Sequence, residues 1–242
     1  MILASHLYRR LMRKWRVIGL TALASVPGLV YWLTAFDADP EGLPALYSDI
    51  LSTAGYSFAI AALILTVATL REERDAGTLP YIYMRPMPRV SMAVSSLLAA
   101  MAAVLTIAIG GWLISALANV AVGGDMSVVL PGLSLFVAAG IGYAAVFVPL
   151  GYLVPRSLLV GLGYIIVIEA ILASAVPGLA QFSIWRIGLS IYADLAPVFG
   201  DDALEALGPV STGLGGGMLK IGGTVVVGLL VLTWALRKRD AL

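Results

Sequence analysis

Six long apolar stretches, separated by short polar segments, dominate the sequence. They occupy residues 17–36, 50–70, 90–120, 132–153, 158–176 and 219–236. Each approaches or exceeds the roughly 20 residues that an α-helix needs to cross a bilayer. Because the stretches are continuously apolar and do not alternate with polar positions, they indicate helices and not barrel strands. The sequence therefore predicts an all-α, polytopic membrane protein with six transmembrane helices.

Composition supports this reading. The 242 residues are 60% hydrophobic and 12% charged, whereas soluble domains carry about 25% charged residues. We expect one transmembrane domain over residues 1–242, because little chain is left for a soluble domain. The absence of cysteine excludes disulfides, thiolate catalysis and cysteine-ligated metals.

The distribution of basic residues predicts the orientation. Six spans place both termini on one side, and every lysine and arginine except Arg186 and Lys220 then falls on that side. By the positive-inside rule, that side is the cytoplasm. We therefore expect both termini and the segment 71–89 to be cytoplasmic.

The first 16 residues carry an apolar stripe at helical spacing. The stripe consists of Leu3, Leu7, Leu11 and Trp15, and five basic residues fill remaining positions of the segment. This pattern predicts an amphipathic interfacial helix over residues 1–16, with its cations facing anionic lipid. The alternative is a charge cluster that only orients the first span.

The segment 177–218, between the fifth and sixth stretches, is too apolar for a free loop and too interrupted for a span. We predict extracytoplasmic re-entrant or interfacial helices here, with Trp185 and Tyr192 at the level of the lipid head groups. The glycines between residues 213 and 217 predict a flexible connection to the last span.

The segment 71–89 holds seven of the chain's 29 charged residues. We expect the second span to continue as helix through Arg71–Asp75 and to stop at Gly77. Thr78 can cap a short helix over residues 79–85, and Pro86 ends it. That helix would present Leu79, Ile82 and Tyr83 to a partner. The alternative is a loop whose basic residues only fix the topology.

The order Glu73-Arg-Asp-Ala-Gly-Thr-Leu, followed by Pro86-Met-Pro-Arg89, resembles the cytoplasmic loop of ABC-2-type permeases, the membrane subunits of ATP-binding-cassette exporters. The resemblance implies a dimer of permease subunits, identical or paralogous, each docked on a separate ATPase subunit. It also implies an ATPase-docking and coupling loop. By resemblance, the residues of that loop are Glu73, Gly77, Thr78, Leu79, Ile82, Tyr83, Arg85, Pro86 and Arg89. The expected location is the inner membrane of a prokaryote.

The chain carries no nucleotide-binding motif of its own. The glycine-rich run that ends at Lys220 lacks the Gly-Lys-Ser/Thr ending of a phosphate-binding loop. We therefore expect no cofactor and no catalytic residue in this chain, with ATP and Mg²⁺ bound by the partner ATPase. The expected partners are that ATPase, a second permease subunit and the bilayer, and no nucleic acid.

Glu169 lies near the middle of the fifth stretch. An ionisable group at that depth is costly unless it is paired, protonated or facing water, so it is a candidate for a substrate pathway. The alternative is a carboxyl group hydrogen-bonded to a neighbouring helix. A secondary transporter that is driven by an ion gradient through Glu169 is the main alternative function. An intramembrane enzyme would need more polar groups, whereas a structural scaffold is compatible with the composition.

Overall fold

The computed structural model describes residues 2–75, 77, 88–172, 180–208 and 213–238, and this part of the chain contains helices and no strand. The helices are α1 (Ile2–Leu11), α2 (Lys14–Ala24), α3 (Val26–Thr34), α4 (Leu43–Ala54), α5 (Tyr56–Asp75), α6 (Arg89–Ala121), α7 (Met126–Leu153), α8 (Ser157–Gly163), α9 (Ile184–Leu195), α10 (Asp201–Leu207) and α11 (Gly213–Lys238). Short 3₁₀ turns at Ala35–Asp37 and Pro40–Gly42 join α3 to α4, and a π-helical segment, Tyr164–Leu172, follows α8.

Three helices, α6, α7 and α11, are long and apolar enough to cross a membrane. Two bent pairs raise the count to five if each pair is one span: α2 with α3, and the pair Pro40–Ala54 and Tyr56–Arg74. The fifth predicted stretch corresponds to a shorter apolar helix over Ser157–Ile171. The protein is thus an all-helical membrane protein, and the count of six spans stays a prediction.

Each bend lies at an identifiable structural feature. The first, of 44°, lies between α2 and α3, where Pro27 in the first turn of α3 prevents an unbroken helix. The second, of 42°, lies at Gly55 between α4 and α5. The ring of Trp185 packs so closely on Gly55 that any side chain at that position would overlap it. The apolar pattern predicts neither bend, because each depends on proline geometry or on a distant residue.

Helix α7 is the centre of the bundle, because α5, α6, α9 and α11 all pack against it. Its interior contact with α5 and α9 is aromatic, with the ring centres of Phe58 and Phe136 5.1 Å apart and those of Phe136 and Trp185 6.2 Å apart. Asp125 caps the start of α7. The Ser127 hydroxyl and N–H donate to Asp125 at 2.6 and 2.9 Å and hold its pKa below the ordinary value.

The bundle has two distinct ends. At the loop end, where α5 stops and α6 begins, Leu70 and Met92 form a buried cluster with Leu232 and Leu236 from the last turns of α11. At the far end, α6 turns into α7 around Gly123. Helix α11 therefore runs from the far end to the loop end.

The predicted helix over residues 1–16 is divided. Helix α1 ends at Leu11, and α2 begins at Lys14 and continues into the first apolar stretch. Leu7 and Leu11 are buried in contacts of α1 with the bundle, whereas Trp15 is 81% exposed. The apolar residues of the predicted helix are therefore divided between α1 and α2. The location of this segment on the membrane surface stays a prediction.

Two expectations for the segment 177–218 were wrong. Trp185 and Tyr192 are not exposed at all, because α9 inserts against α7 and α11 and carries both rings into the protein interior. The glycines after residue 212 are not a flexible connection, since they form the first turns of α11. Gly217 lies against Ile191 of α9, where a side chain would not fit. The local composition does not reveal this packing.

Candidate coupling site

The last turns of α5 extend beyond the apolar stretch, as the sequence predicts. The helix continues through Glu73 to Asp75. Gly77 follows with a φ of +66°, and its N–H donates to the Arg74 carbonyl at 3.1 Å. Glycine adopts this left-handed conformation without strain and commonly ends a helix in this way.

The structure describes both ends of the predicted docking loop but not its middle. Thr78, Leu79, Ile82, Tyr83, Arg85 and Pro86 lie outside the described residues, as does the predicted helix over residues 79–85. Glu73 and Gly77 precede this part, and Arg89 follows it as the first residue of α6. The site can therefore be built from what holds these two ends.

Glu73 joins the end of α5 to the N-terminal helix. Its side chain is only 2% exposed, and its Oε1 accepts a hydrogen bond from Arg10 Nη1 at 2.6 Å. Arg10 Nη2 also donates to the carbonyl oxygen of Glu72 at 3.3 Å. A short charge-assisted hydrogen bond to a buried carboxylate is among the stronger polar contacts in a protein.

Three further side chains complete this contact. Arg16 Nη2 donates to Glu72 Oε1, and Arg10 Nε lies 3.7 Å from Glu72 Oε2. His6 Nε2 lies 3.6 Å from Glu73 Oε1 and forms an ion pair there only when protonated. We call His6, Arg10, Arg16, Glu72 and Glu73 the α1–α5 charge cluster.

The opposite side of α5 is bonded as well. Arg74 Nη1 donates to the Tyr152 carbonyl at 3.1 Å, and Arg71 Nη1 donates to the Ser157 hydroxyl at 3.3 Å. The carbonyls of a last helical turn lack intrahelical partners and favour a cation, so Arg74 suits the end of α7. The end of α5 is thus fixed between the N-terminal helices and the α7–α8 junction.

Sequence reasoning missed these partners. It assigned the basic residues before the first span to lipid head groups, although Arg10 and Arg16 contact Glu72 and Glu73. A signal was present, because an acidic pair ends the second span on the same predicted side as a basic cluster. Ser157 and the Tyr152 carbonyl carry no comparable signal in the sequence.

Glu169 occupies a second, separate polar cluster inside the bundle. It lies in the π-helical segment and is not exposed. Its carboxyl group accepts hydrogen bonds from the Tyr143 hydroxyl at 2.5 Å, from the Ile184 N–H at 2.8 Å and from the Tyr164 hydroxyl at 3.3 Å. Ile184 is the first residue of α9, where unpaired N–H groups and the helix dipole favour a carboxyl group.

The hydrogen bonds of Glu169 join three helical segments. The carboxyl group links the π-helical segment to α7 through Tyr143 and to α9 through Ile184. The carboxyl group is satisfied by hydroxyls and a helix N-terminus. The buried side chain of Arg186 lies beside Tyr56, whose hydroxyl donates to the Glu169 carbonyl at 3.3 Å. π-Helical turns are rare and often occur at functional sites. This is compatible with a transport role for Glu169, which stays a prediction.

Comparison with known proteins decides the family. The sequence model of a family described as ABC-2 family transporter protein matches residues 9–171, about two thirds of the chain. The chain belongs to this family. The match includes the α1–α5 charge cluster from Arg10 onward, the whole loop and Glu169, and it ends before α9. None of the curated proteins compared with the chain matches it.

Membership confirms the resemblance that the loop predicts. The chain is an ABC-2-type permease, a membrane subunit for transport that is not itself catalytic. The charge cluster therefore lies at the foot of the loop that the resemblance predicts to dock an ATPase.

The Arg10–Glu73 pair should show strong coupling in a double-mutant cycle. Because Glu73 is buried, Glu73→Ala leaves Arg10 without its main acceptor and should lower the free energy of unfolding by about 1.5–3 kcal/mol. Once Arg10→Ala is present, the same substitution should cost at least about 1 kcal/mol less. Thermal unfolding in mild detergent measures all four proteins.

A matched cycle provides the control. Asp125 caps α7 at the far end, so the costs of Arg10→Ala and Asp125→Ala should add to within about 0.5 kcal/mol. Equal non-additivity in both cycles would show that the Arg10–Glu73 contact has no special role.

Substitutions of Glu169 separate a positioning role from an ion-pathway role. Glu169→Leu removes the acceptor for the Ile184 N–H and the Tyr143 hydroxyl, so it should destabilise the protein by about 1–3 kcal/mol. Glu169→Gln keeps one acceptor for Ile184, and its NH₂ can donate to Tyr143, so it should retain most stability and transport. If Glu169→Gln abolished transport at unchanged stability, the ion-pathway reading would be favoured.

Proposed function

We propose that this chain is the membrane-spanning permease subunit of an ATP-binding-cassette exporter. It would move a substrate across or out of the membrane, using ATP that a separate ATPase subunit hydrolyses while docked on the loop 71–89. The observation that carries the proposal is the end of α5, which leads into the loop and is bonded on two sides of the helix. Because the end of α5 is bonded on two sides, a displacement of the loop would also move the helices bonded to α5.

The contacts give a path for the displacement. A push on the loop moves the last turn of α5, which carries both Glu73 and Arg74. Glu73 passes the motion to α1 through Arg10, and Arg74 passes it to the end of α7 through the Tyr152 carbonyl. Because packed helices shift as rigid bodies, a small movement at the loop can change how the bundle opens.

The energy source must lie in a partner. The sequence lacks a phosphate-binding loop, so ATP and Mg²⁺ belong to the ATPase subunit in this proposal. Following the family pattern, two permease subunits, identical or paralogous, pair in the bilayer, and each contacts one ATPase. Nucleic acid has no part in the proposal.

The geometry of the loop end supports a cytoplasmic orientation. Residues 9–16, both ends of the loop and the last turns of α11 meet at this end, and they carry ten of the chain's 15 arginines and lysines. The positive-inside rule assigns such an end to the cytoplasm. We therefore place the chain in the inner membrane of a prokaryote, with both termini in the cytoplasm.

A secondary transporter that uses Glu169 is the alternative. It would need the carboxyl group to meet water or an ion during transport. In the described structure the carboxyl group is buried and bonded to Tyr143, Tyr164 and the Ile184 N–H. We therefore assign Glu169 to positioning within the exporter.

Two glycines allow a matched test of docking. Gly77 and Gly123 both have positive φ, and neither has an atom within 4 Å of where a Cβ would lie. Valine in this conformation costs about 1–2 kcal/mol of local strain at either position. Only Gly77 adjoins the loop, because Gly123 lies in the turn at the far end.

The tagged chain is purified from its native host in mild detergent, and the ATPase that accompanies it is quantified. We expect a stoichiometric ATPase with the parent protein and with Gly123→Val, and a strong loss with Gly77→Val, because the strain displaces the docking loop. Recovery of the same amount of ATPase with both variants, or of none with the parent protein, would contradict the proposal.

A further inference from the structure

A cleft of about 690 Å³ lies between α7, the π-helical segment, the start of α9 and one face of α11. Its size falls within the roughly 300–1,000 Å³ range of small-molecule sites. It is separate from the α1–α5 charge cluster, since no residue of that cluster lines it. The face of α11 that lines the cleft carries Lys220, Gly223, Thr224, Val227, Gly228 and Val231.

The cleft is polar at one end and apolar along its body. The residues at the polar end include Lys220, Gln181 and Tyr164, whose hydroxyl donates to the Phe182 carbonyl at 3.0 Å. The body is lined by the aliphatic groups of Val146, Pro149, Val227 and Val231. A ligand that fits must carry a polar group at one end and a hydrocarbon portion along the rest.

The length of the cleft matches one leaflet of a bilayer. Lys220 and Val231 are eleven residues apart on α11, which is about 16 Å at the helical rise of 1.5 Å per residue. Half of the roughly 30 Å hydrocarbon core is about 15 Å. Because α11 runs from the far end to the loop end, Lys220 lies at the end of the cleft that is nearer the far end.

Lys220 supplies the charge. Within the described ranges it forms no ion pair. The segments that precede Ala180 and Gly213 in the sequence, residues 173–179 and 209–212, contain no aspartate or glutamate. A cation at the rim of an apolar cleft attracts an anionic group, because charge there is poorly compensated by the surroundings.

The walls open towards the lipid. Phe182 and Val227 are 70% and 59% exposed, and both lie on the surface of a helix bundle that a bilayer surrounds. A molecule that is already in the bilayer can therefore reach the cleft sideways. A soluble anion would leave the apolar body unfilled.

We propose that this cleft binds one bilayer lipid with an anionic head group, drawn from the leaflet at the far end. The head group contacts Lys220, and one acyl chain lies along Val227 and Val231. The proposal does not depend on the docking of an ATPase, and each can fail without the other.

Two adjacent glycines allow the cleft to be filled with a matched control. Gly222 and Gly223 are both exposed on α11, and neither has an atom within 4 Å of where a Cβ would lie. Only Gly223 lines the cleft. Leucine is a better helix former than glycine, so neither substitution should disturb α11. Gly223→Leu thus places a side chain in the cleft, and Gly222→Leu places the same side chain beside it.

Native mass spectrometry of the purified protein measures retained phosphatidylglycerol and phosphatidylcholine across a titration of each lipid. We expect one tightly retained phosphatidylglycerol with the parent protein and with Gly222→Leu, and its loss with Gly223→Leu. Equal retention with both glycine variants would overturn the assignment of the cleft.

Lys220 tests the head-group contact. Lys220→Gln should weaken retention of phosphatidylglycerol about fivefold, the effect of one interfacial cation, while phosphatidylcholine is unaffected. Lys220→Arg keeps the charge and should restore the preference. An undiminished preference in Lys220→Gln, or equal retention of the two lipids by the parent protein, would overturn the role of Lys220.

Discussion

The hydrogen bond between Arg10 and the buried carboxylate of Glu73 is the contact on which the coupling site depends. It is short, at 2.6 Å, and it joins parts of the chain 63 residues apart in sequence. Apart from this bond, α1 contacts the bundle through the buried Leu7 and Leu11, through Leu3 and through the Tyr8–Thr106 contact. With it, the N-terminal helix is bonded directly to the last turn of α5, at the foot of the predicted docking loop.

Helix α7 links the end of α5 to the Glu169 cluster. Tyr143 on this helix bonds to Glu169, and the carbonyl of Tyr152, nine residues later, accepts from Arg74. These groups lie about 14 Å apart along the helix axis. Because α7 also packs against α5, α6, α9 and α11, the proposed coupling would carry a displacement at the loop end along this helix to the segment with Glu169. The cleft with Lys220 borders the same helix, through Val146 and Pro149.

Local features of the sequence predict the elements better than their arrangement. Continuous apolar stretches predict the long helices, the charged run after Leu70 predicts the extension of α5, and Gly77 predicts its end, because each signal lies within the segment concerned. The burial of Trp185 and Tyr192 depends on contacts with distant elements. The site shows the same difference. The loop pattern identifies Glu73, but the sequence does not show which of the five basic residues near the N-terminus contacts it.

The measurement that tests the central claim most directly is site-specific cross-linking from the docking loop. The chain has no cysteine, so Ile82→Cys creates a unique attachment point for a maleimide photo-cross-linker in native membranes. Ser127→Cys, in the first turn of α7 at the far end, is the matched control. The account predicts that residue 82 cross-links to an ATPase subunit and residue 127 does not. Cross-linking of residue 82 only to lipid, or of both residues to the same proteins, would contradict it.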